Sequence, residues 1–227
     1  MLKTIIEKIK ELNSKKMVEL ENFKKDLNDE IALKTDFTPL KRWWANFQTH
    51  KLIYDDFWNI ILKSKLFFWL MFLIWFSSPL ILTLINLKTD FNIELLTSEN
   101  IINIIIWFIF FGLWLFVFYL TNNSKIFDFQ NWYFYPLKYK KRIWEYINTD
   151  RKKDKIIKIS DIYALQIIKE RVSWNKSSYN SYEINAILKD SSRINIIHHW
   201  NLKSIKEYSE ELSKKLWNIQ VWDASNI

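Results

Sequence analysis

The sequence predicts an α+β membrane protein, in which a transmembrane α-helical hairpin is joined to a small antiparallel β domain that a C-terminal amphipathic helix closes. Three observations predict this class: two long runs without charge, strand-like segments on both sides of them, and a helical apolar stripe near the C-terminus. The expected parts are an N-terminal amphipathic helical segment (1–35), a cytoplasmic pair of β-strands (36–65), the hairpin (66–121) and a cytoplasmic β-rich domain with the C-terminal helix (122–227).

The two charge-free runs are residues 66–87, LFFWLMFLIWFSSPLILTLINL, and residues 101–120, IINIIIWFIFFGLWLFVFYL. About 20 residues of helix, rising 1.5 Å each, cover the hydrocarbon core of a bilayer. Neither run has the polar face that a water-exposed helix needs. The linker 88–100 is acidic and the outer flanks are basic, so the charge bias predicts that both termini are cytoplasmic.

The segments before the first run are predicted to be helix and then strand. Residues 2–34 have apolar positions at helical spacing between Glu and Lys residues, which is typical of a solvated helix or a short coiled coil. THKLIYDD and WNIILKS are two strand-like segments that meet at Asp55 and Asp56. Because Asp hydrogen-bonds to local backbone in turns, this pair predicts a hairpin turn rather than a catalytic dyad.

The segments after the second run are mostly strand-like. KIFDFQNWYFYPL, KIIKIS and DIYALQIIKERVS are followed by SYEINAILKDSSRINIIHH, whose alternation and DSSR turn predict a hairpin. Residues 201–216 then form an amphipathic helix with Asn201 as its N-cap. Strands closed by one helix follow the order of a pleckstrin-homology-like (PH-like) domain, an analogy of fold that carries no function.

Tryptophan and glycine have an unusual balance in this chain, with 13 Trp and 1 Gly in 227 residues. Average glycine usage of about 7% would give roughly 16. Several tryptophans stand where turns and helix caps favour glycine, such as Trp132 after Asn131 and Trp217 after the C-terminal helix. The hypothesis is that most of these codons are UGA, an alternative genetic code in which the organism inserts glycine.

The tryptophans fall into three groups under this hypothesis. Glycine is expected first at Trp43, Trp44, Trp132, Trp174, Trp200 and Trp217, and also at Trp58, Trp75, Trp107, Trp114 and Trp144. Trp69 is left open, and Trp222 is taken as a genuine tryptophan. The alternative is that all of them are tryptophan and mark a membrane interface or an aromatic binding surface.

With glycine at these positions, five segments resemble a family of uncharacterised bacterial integral membrane proteins with two spans. They are residues 38–52, 126–134, 159–168, 181–201 and 221–225. The resemblance covers roughly residues 36–225 and implies a multi-pass protein of the bacterial cytoplasmic (inner) membrane, with no assigned activity. The chain departs from the family at its Trp positions and at DSSR (190–193), where DGSR or DGRR is usual.

Residues that would support catalysis or metal binding do not form a recognisable set. The chain has no cysteine, so disulfides and thiolate metal sites are excluded. His198 and His199 are adjacent on a predicted strand and therefore point to opposite faces, which disfavours a shared metal. No catalytic residue, metal ligand or cofactor is predicted, and the protein is not expected to be an enzyme.

The strongest electrostatic feature is a pair of basic runs in a chain with a net charge of +8. The candidate lipid- or partner-binding residues are Lys138, Lys140, Lys141, Arg142, Arg151, Lys152 and Lys153. They predict contact with the anionic lipid heads of the bilayer, a protein partner or a second copy; nucleic acid is not expected. The expected function is a membrane-anchored, non-enzymatic interaction or scaffolding protein, and the alternative is a subunit of a transporter or channel complex.

Overall fold

The computed structural model describes residues 2–40, 50–64, 73–74, 77, 98–121, 124–149, 155–174 and 177–227. The chain divides into two compact units. One unit contains Met1–Lys63 together with Ser124–Ile227, and the other is Ser64–Asn123.

Helices and strands alternate irregularly along the described residues. The helices are α1 (Leu2–Asp26), α2 (Glu30–Lys34), α3 (Ser98–Thr121), α4 (Ile143–Asn148) and α5 (Leu202–Lys215), with 3-10 helices at Leu137–Arg142 and Ile159–Asp161. The strands are β1 (His50–Tyr54), β2 (Ile60–Ser64), β3 (Lys125–Asp128), β4 (Tyr133–Pro136), β5 (Ile157–Lys158), β6 (Ile162–Trp174), β7 (Ser177–Leu188), β8 (Arg193–His199) and β9 (Gln220–Ala224).

The strands form two sheets with the orders β1-β2-β3-β4-β5 and β8-β7-β6-β9. In the first sheet β2 pairs antiparallel with β3, with Ile60 opposite Phe127. The strands that precede residue 66 therefore complete a sheet with strands that follow residue 124, as the sequence predicted. In the second sheet the predicted β7–β8 hairpin is confirmed, and β9 lies parallel to β6.

The main core lies between the two sheets and is covered by α5. Successive residues of β7 point to opposite faces of the second sheet. Ile184 and Ala186 are buried in this core, whereas Glu183 and Asn185 point to the other side of the sheet. The remaining buried members are Ile60, Leu62, Phe127, Phe134, Ile157, Ile159, Ile162, Leu165, Ile167, Ile196, Ile197, Ile205, Leu212 and Leu216.

Helix α5 confirms the predicted C-terminal amphipathic helix. The Asn201 side chain accepts a hydrogen bond from the Ser204 backbone N–H at 3.1 Å, which makes it the N-cap. The chain does not end with this helix, however, because β9 follows it and adds an edge to the second sheet. The sequence did not predict β9, since a short strand whose partner is distant along the chain gives no local pairing pattern.

The outer faces of both sheets are covered by helical segments. The end of α1, together with α2 and Phe37, packs on the second sheet against Ala164, Ile187 and Trp222. The interpretation of residues 1–35 as a solvated helix is therefore wrong for their C-terminal part; residues 10–19 are exposed. On the first sheet, Tyr139 and Ile143 bury their side chains against Ile126 and Tyr135.

The second unit contains α3, in which Phe111 stacks on Trp107 and Trp114 with ring centroids 5.0 and 5.6 Å apart. Of the first charge-free run, only residues 73, 74 and 77 are described.

The predicted membrane crossing is not found in the part of the chain that the structure describes, because none of its helices has both the length and the apolarity required. The predictions of a transmembrane hairpin over 66–121 and of a multi-pass inner-membrane protein with both termini cytoplasmic are therefore wrong. They relied on the absence of charge, which is necessary for a span and does not establish one. The structure is an α+β fold with two sheets of mainly antiparallel strands.

Candidate functional site

The first candidate site is the 3-10 helix Leu137–Arg142, which carries four of the predicted binding residues. We call it the basic turn: Lys138, Lys140, Lys141 and Arg142 are exposed on it. Tyr139, between them, is only 5% exposed and anchors the turn in the core on the outer face of the first sheet. The sequence therefore alternates an apolar anchor with outward cations, which holds the charges on a fixed backbone.

Lys140 is the member of the basic turn with an ion-pair partner. Its Nζ lies 3.0 Å from Oδ2 of Asp55, in the turn between β1 and β2. Burial alone would raise the pKa of the Asp55 carboxyl, but hydrogen bonds from Asn59 and Lys140 outweigh it and hold this pKa below its usual value. Lys140 thus ties two turns together, whereas Lys138 lies 5.8 Å from the ring centroid of Tyr139.

Lys141 and Arg142 are the outward cations of the basic turn. Within the described residues, neither forms a hydrogen bond or an ion pair with another side chain. The other predicted binding residues, Arg151, Lys152 and Lys153, lie outside the described residues. The structure therefore brings four of the seven predicted cations together and says nothing of the remaining three.

A second exposed feature, which we call the aromatic turn cluster, consists of Tyr54, Trp58, Phe129, Trp132 and Trp217. Trp132 and Trp217 stack with centroids 5.0 Å apart, and Phe129 meets Trp132 edge-on at 6.4 Å. Lys215 places its Nζ 5.3 Å from the Trp58 centroid and 5.4 Å from that of Tyr54. These contacts join the β1–β2 turn, the β3–β4 turn and the end of α5.

The tryptophans of this cluster share a backbone conformation that favours glycine. Trp58, Trp132 and Trp217 have φ angles of 60°, 63° and 63°. L-residues other than Gly, Asn and Asp rarely adopt this left-handed region, because Cβ crowds the following carbonyl oxygen. Trp200, for which glycine was also expected, is exposed but lies outside this region.

The buried polar groups on the outer face of the second sheet fasten the segment after α2. The Arg193 guanidinium donates to the Thr38 carbonyl oxygen at 2.7 Å and to Asp36 at 3.0 Å. Burial lowers the pKa of Arg193, and the charges of Asp36 and Glu183 oppose that shift. Glu183 accepts from the backbone N–H of Leu40 at 2.9 Å. Sequence reasoning missed this group, because its members are more than a hundred positions apart.

The histidines occupy two sides of the second sheet, as the sequence predicted. Nδ1 of His198 lies 3.8 Å from Oε2 of Glu183, whereas the His199 ring meets Tyr208 of α5 edge-on. Nδ1 of His50 lies 3.4 Å from the His198 carbonyl oxygen. In the described part of the chain, no three His, Cys, Asp or Glu side chains form a group that could hold a metal ion.

Asp55 and Asp128 hold the two turns of the first sheet, and the turn interpretation of Asp55 is confirmed. Oδ1 of Asp55 accepts from the backbone N–H of Phe57 and Asn59 at 3.0 and 2.9 Å. Asp128 accepts in the same way from two backbone N–H groups and also from the Tyr135 hydroxyl at 2.5 Å. The sequence predicted the turn aspartate at Asp55, but neither the role of Asp128 nor the tyrosine that binds it.

No known protein family, curated protein or solved structure matches this chain. The resemblance to a two-span bacterial family therefore stays a prediction.

Proposed function

We propose that this chain is a non-enzymatic interaction domain whose basic turn binds a carboxylate-rich segment of a partner protein. The observation that carries the proposal is the pair between Lys140 and Asp55, in which the turn already holds a carboxylate at 3.0 Å. Lys141 and Arg142, which follow Lys140 in the basic turn, could form the same kind of ion pair with a carboxylate of a partner. Arg142 in particular presents a planar fork that matches carboxylate geometry.

The anchoring of the basic turn also supports this function. A flexible run of lysines loses side-chain and backbone freedom when it binds, which weakens the complex. Here Tyr139 is buried within the turn and Ile143 just after it, at 5% and 4% exposure, so the backbone that carries the cations is already fixed. Less ordering is then required on binding, and this favours recognition over a purely diffuse attraction.

A carboxylate ligand is favoured over the lipid heads considered in the sequence analysis. The contact that the basic turn makes within the chain is to a carboxylate, and the acceptor Asp55 is only 16% exposed. A protein segment can present carboxylates in such a confined geometry. Lipid binding becomes a distinct outcome of the test rather than part of the proposal.

The test is a binding titration of the full chain with a fluorescein-labelled oligoglutamate peptide at low and moderate salt. We expect Lys141→Glu with Arg142→Glu to weaken binding by about tenfold or more, because each exposed ion pair contributes modestly and charge reversal adds repulsion. The matched control is Lys8→Glu with Lys10→Glu on α1, which changes the net charge equally and should weaken binding much less. Circular dichroism checks that both variants fold.

Two results would contradict the proposal. Equal losses in the two double variants would mean that net charge alone attracts the peptide. Binding to vesicles that contain phosphatidylglycerol, without measurable binding to the peptide, would assign the basic turn to lipid heads instead. Neutral phosphatidylcholine vesicles separate that outcome from nonspecific adsorption.

A further inference from the structure

The aromatic turn cluster combines two features that conflict physically. Its tryptophans are exposed, at 71% for Trp58, 49% for Trp132 and 61% for Trp217, so they gain little from burial. Each also has a left-handed backbone, which disfavours a residue with a Cβ. A binding surface could account for the exposure but gives no reason why all three have this backbone.

The β1–β2 turn has a hydrogen-bond pattern in which glycine is the usual left-handed residue. The Asp55 N–H donates to the Asn59 carbonyl oxygen, and the Trp58 N–H donates to the Asp55 carbonyl oxygen, both at 3.1 Å. This is a three-residue hairpin loop whose last residue is left-handed, a common hairpin connection. Trp58 fills the left-handed position, with φ 60°.

The end of α5 shows the same substitution in a helix cap. The Asn218 N–H donates to the Ser213 carbonyl oxygen at 2.8 Å, across the cap residue Leu216. This bond defines a Schellman motif, in which the residue after the cap is left-handed and usually glycine. Trp217 occupies that position.

The β3–β4 turn gives the third case. Asp128 receives the N–H groups of Gln130 and Asn131, and Trp132 then has φ 63° before β4 begins at Tyr133. The Trp132 carbonyl oxygen accepts from the Ile159 N–H at 2.9 Å, which fixes its peptide plane. These hydrogen bonds therefore restrict the backbone conformation of Trp132.

The single glycine of the chain, by contrast, stands where glycine is not required. Gly112 lies inside α3, and a Cβ built on it would meet nothing within 4 Å. Glycine inside a helix lowers its stability relative to alanine. The chain thus has tryptophan where the backbone favours glycine, and glycine where the backbone favours another residue.

We infer that glycine, specified by UGA codons, is the residue that the source organism inserts at positions 58, 132 and 217. Trp222 is a genuine tryptophan, because it is 1% exposed and lies within the apolar cluster under α2. The same backbone argument does not extend to Trp107, Trp114 and Trp144, which are helical, nor to Trp174 at the end of β6 and Trp200, which have no left-handed backbone. Trp43, Trp44, Trp69 and Trp75 lie outside the described residues. The aromatic turn cluster is then no binding surface of the native protein.

The decisive experiment is peptide mass spectrometry on the protein purified from its own organism, read beside the gene sequence. We expect UGA codons and glycine masses at positions 58, 132 and 217, with UGG and a tryptophan mass at 222. Masses are needed because UGA can also specify tryptophan in other codes. Tryptophan masses at the first three positions would overturn the inference, whichever codon is found.

A second experiment measures the cost of the left-handed backbone in the chain that carries tryptophan at these positions. Comparing Trp58→Gly with Trp58→Ala removes the ring in both variants and leaves only the left-handed backbone cost. We expect the folding equilibrium constant of the glycine variant to be about tenfold larger. The control pair, Trp144→Gly and Trp144→Ala in α4, should show the reverse order by about fivefold. An alanine variant at position 58 that is as stable as the glycine variant would contradict the inference.

Discussion

Trp217 lies in the short link between α5 and β9, Trp222 lies in β9, and their environments are opposite. Trp217 is 61% exposed and has φ 63°, whereas Trp222 is 1% exposed. The Trp222 ring stacks on Phe37 with centroids 6.2 Å apart, and Tyr163 meets it edge-on at the same distance. Its Nε1–H donates to Oε1 of Gln220 at 3.1 Å.

This contrast shows that tryptophan can stabilise the fold at one position and destabilise it at another. Burial of the Trp222 ring removes a large apolar area from water, and its one polar atom is satisfied. Trp217 buries little and adds a Cβ where the helix cap favours none. The expected effects of substitution should follow this difference in environment, with the largest changes in the core.

The largest expected effect is the loss of the Trp222 ring. Trp222→Ala should lower the free energy of unfolding by about 3–5 kcal/mol, because it removes a buried aromatic and leaves a cavity. Trp217→Ala should change it by less than about 1 kcal/mol. Urea unfolding followed by circular dichroism measures both. Similar losses in the two variants would break the comparison on which the glycine inference depends.

The next effect separates the two turn aspartates that precede Trp58 and Trp132. Asp128→Ala should cost about 2–4 kcal/mol, because it leaves the buried Tyr135 hydroxyl and two backbone N–H groups without their acceptor. Asp55→Ala should cost about 1 kcal/mol, since Asp56, Phe57 and Trp58 are exposed and water can reach the Phe57 N–H group in place of the carboxylate. Tyr135→Phe is the control for the hydroxyl bond alone. Equal losses at the two aspartates would mean that burial does not govern these turns.

The elements that could be predicted from the sequence are those with a local pattern. The β7–β8 hairpin alternates apolar and polar residues around Asp190, and α5 has both an N-cap and an apolar stripe, so each is specified within its own segment. The packing of α1 and the pairing of β9 depend on residues far along the chain. Periodicity contains no information on those partners.

The candidate site shows the same limit. The sequence identified the cations of the basic turn. It did not show that Lys140 forms an ion pair within the chain, because its partner Asp55 is 85 positions away. It also predicted left-handed residues at Trp132 and Trp217 from turn and cap chemistry. The membrane crossing was predicted from the length of two charge-free runs, their lack of a polar face and their flanking charges, and that prediction was wrong.

The turn at Ser191 sharpens the comparison, because it has the backbone of the Trp58 turn without an aromatic ring. The Leu188 N–H donates to the Ser192 carbonyl oxygen and the Ser191 N–H to the Leu188 carbonyl oxygen, both at 2.9 Å, and Ser191 has φ 66°. Ser191→Gly should raise the free energy of unfolding by about 1 kcal/mol, and Ser191→Ala should not. An equal gain in both variants would contradict the backbone argument.

The smallest expected effect is a pH dependence at Asp223, the neighbour of Trp222 in β9. Burial would raise the pKa of its carboxyl, but hydrogen bonds from Lys206, at 2.8 Å, and Ser225 outweigh it and hold the pKa below its usual value of 3.8. A lowered folded-state pKa stabilises the fold above the unfolded-state pKa, and this contribution is lost as the pH falls through the folded-state value.

Asp223→Asn should therefore lower Tm by about 1–2 °C at pH 7, because the pair is partly exposed and screened by solvent. The difference from the unsubstituted chain should shrink as the pH falls below 3.8 and through the folded-state pKa of Asp223. In a Lys206→Ala background the same substitution should have less effect at every pH. A Tm difference that persists unchanged down to pH 2 would show that Asp223 acts through packing beside Trp222 rather than through its charge.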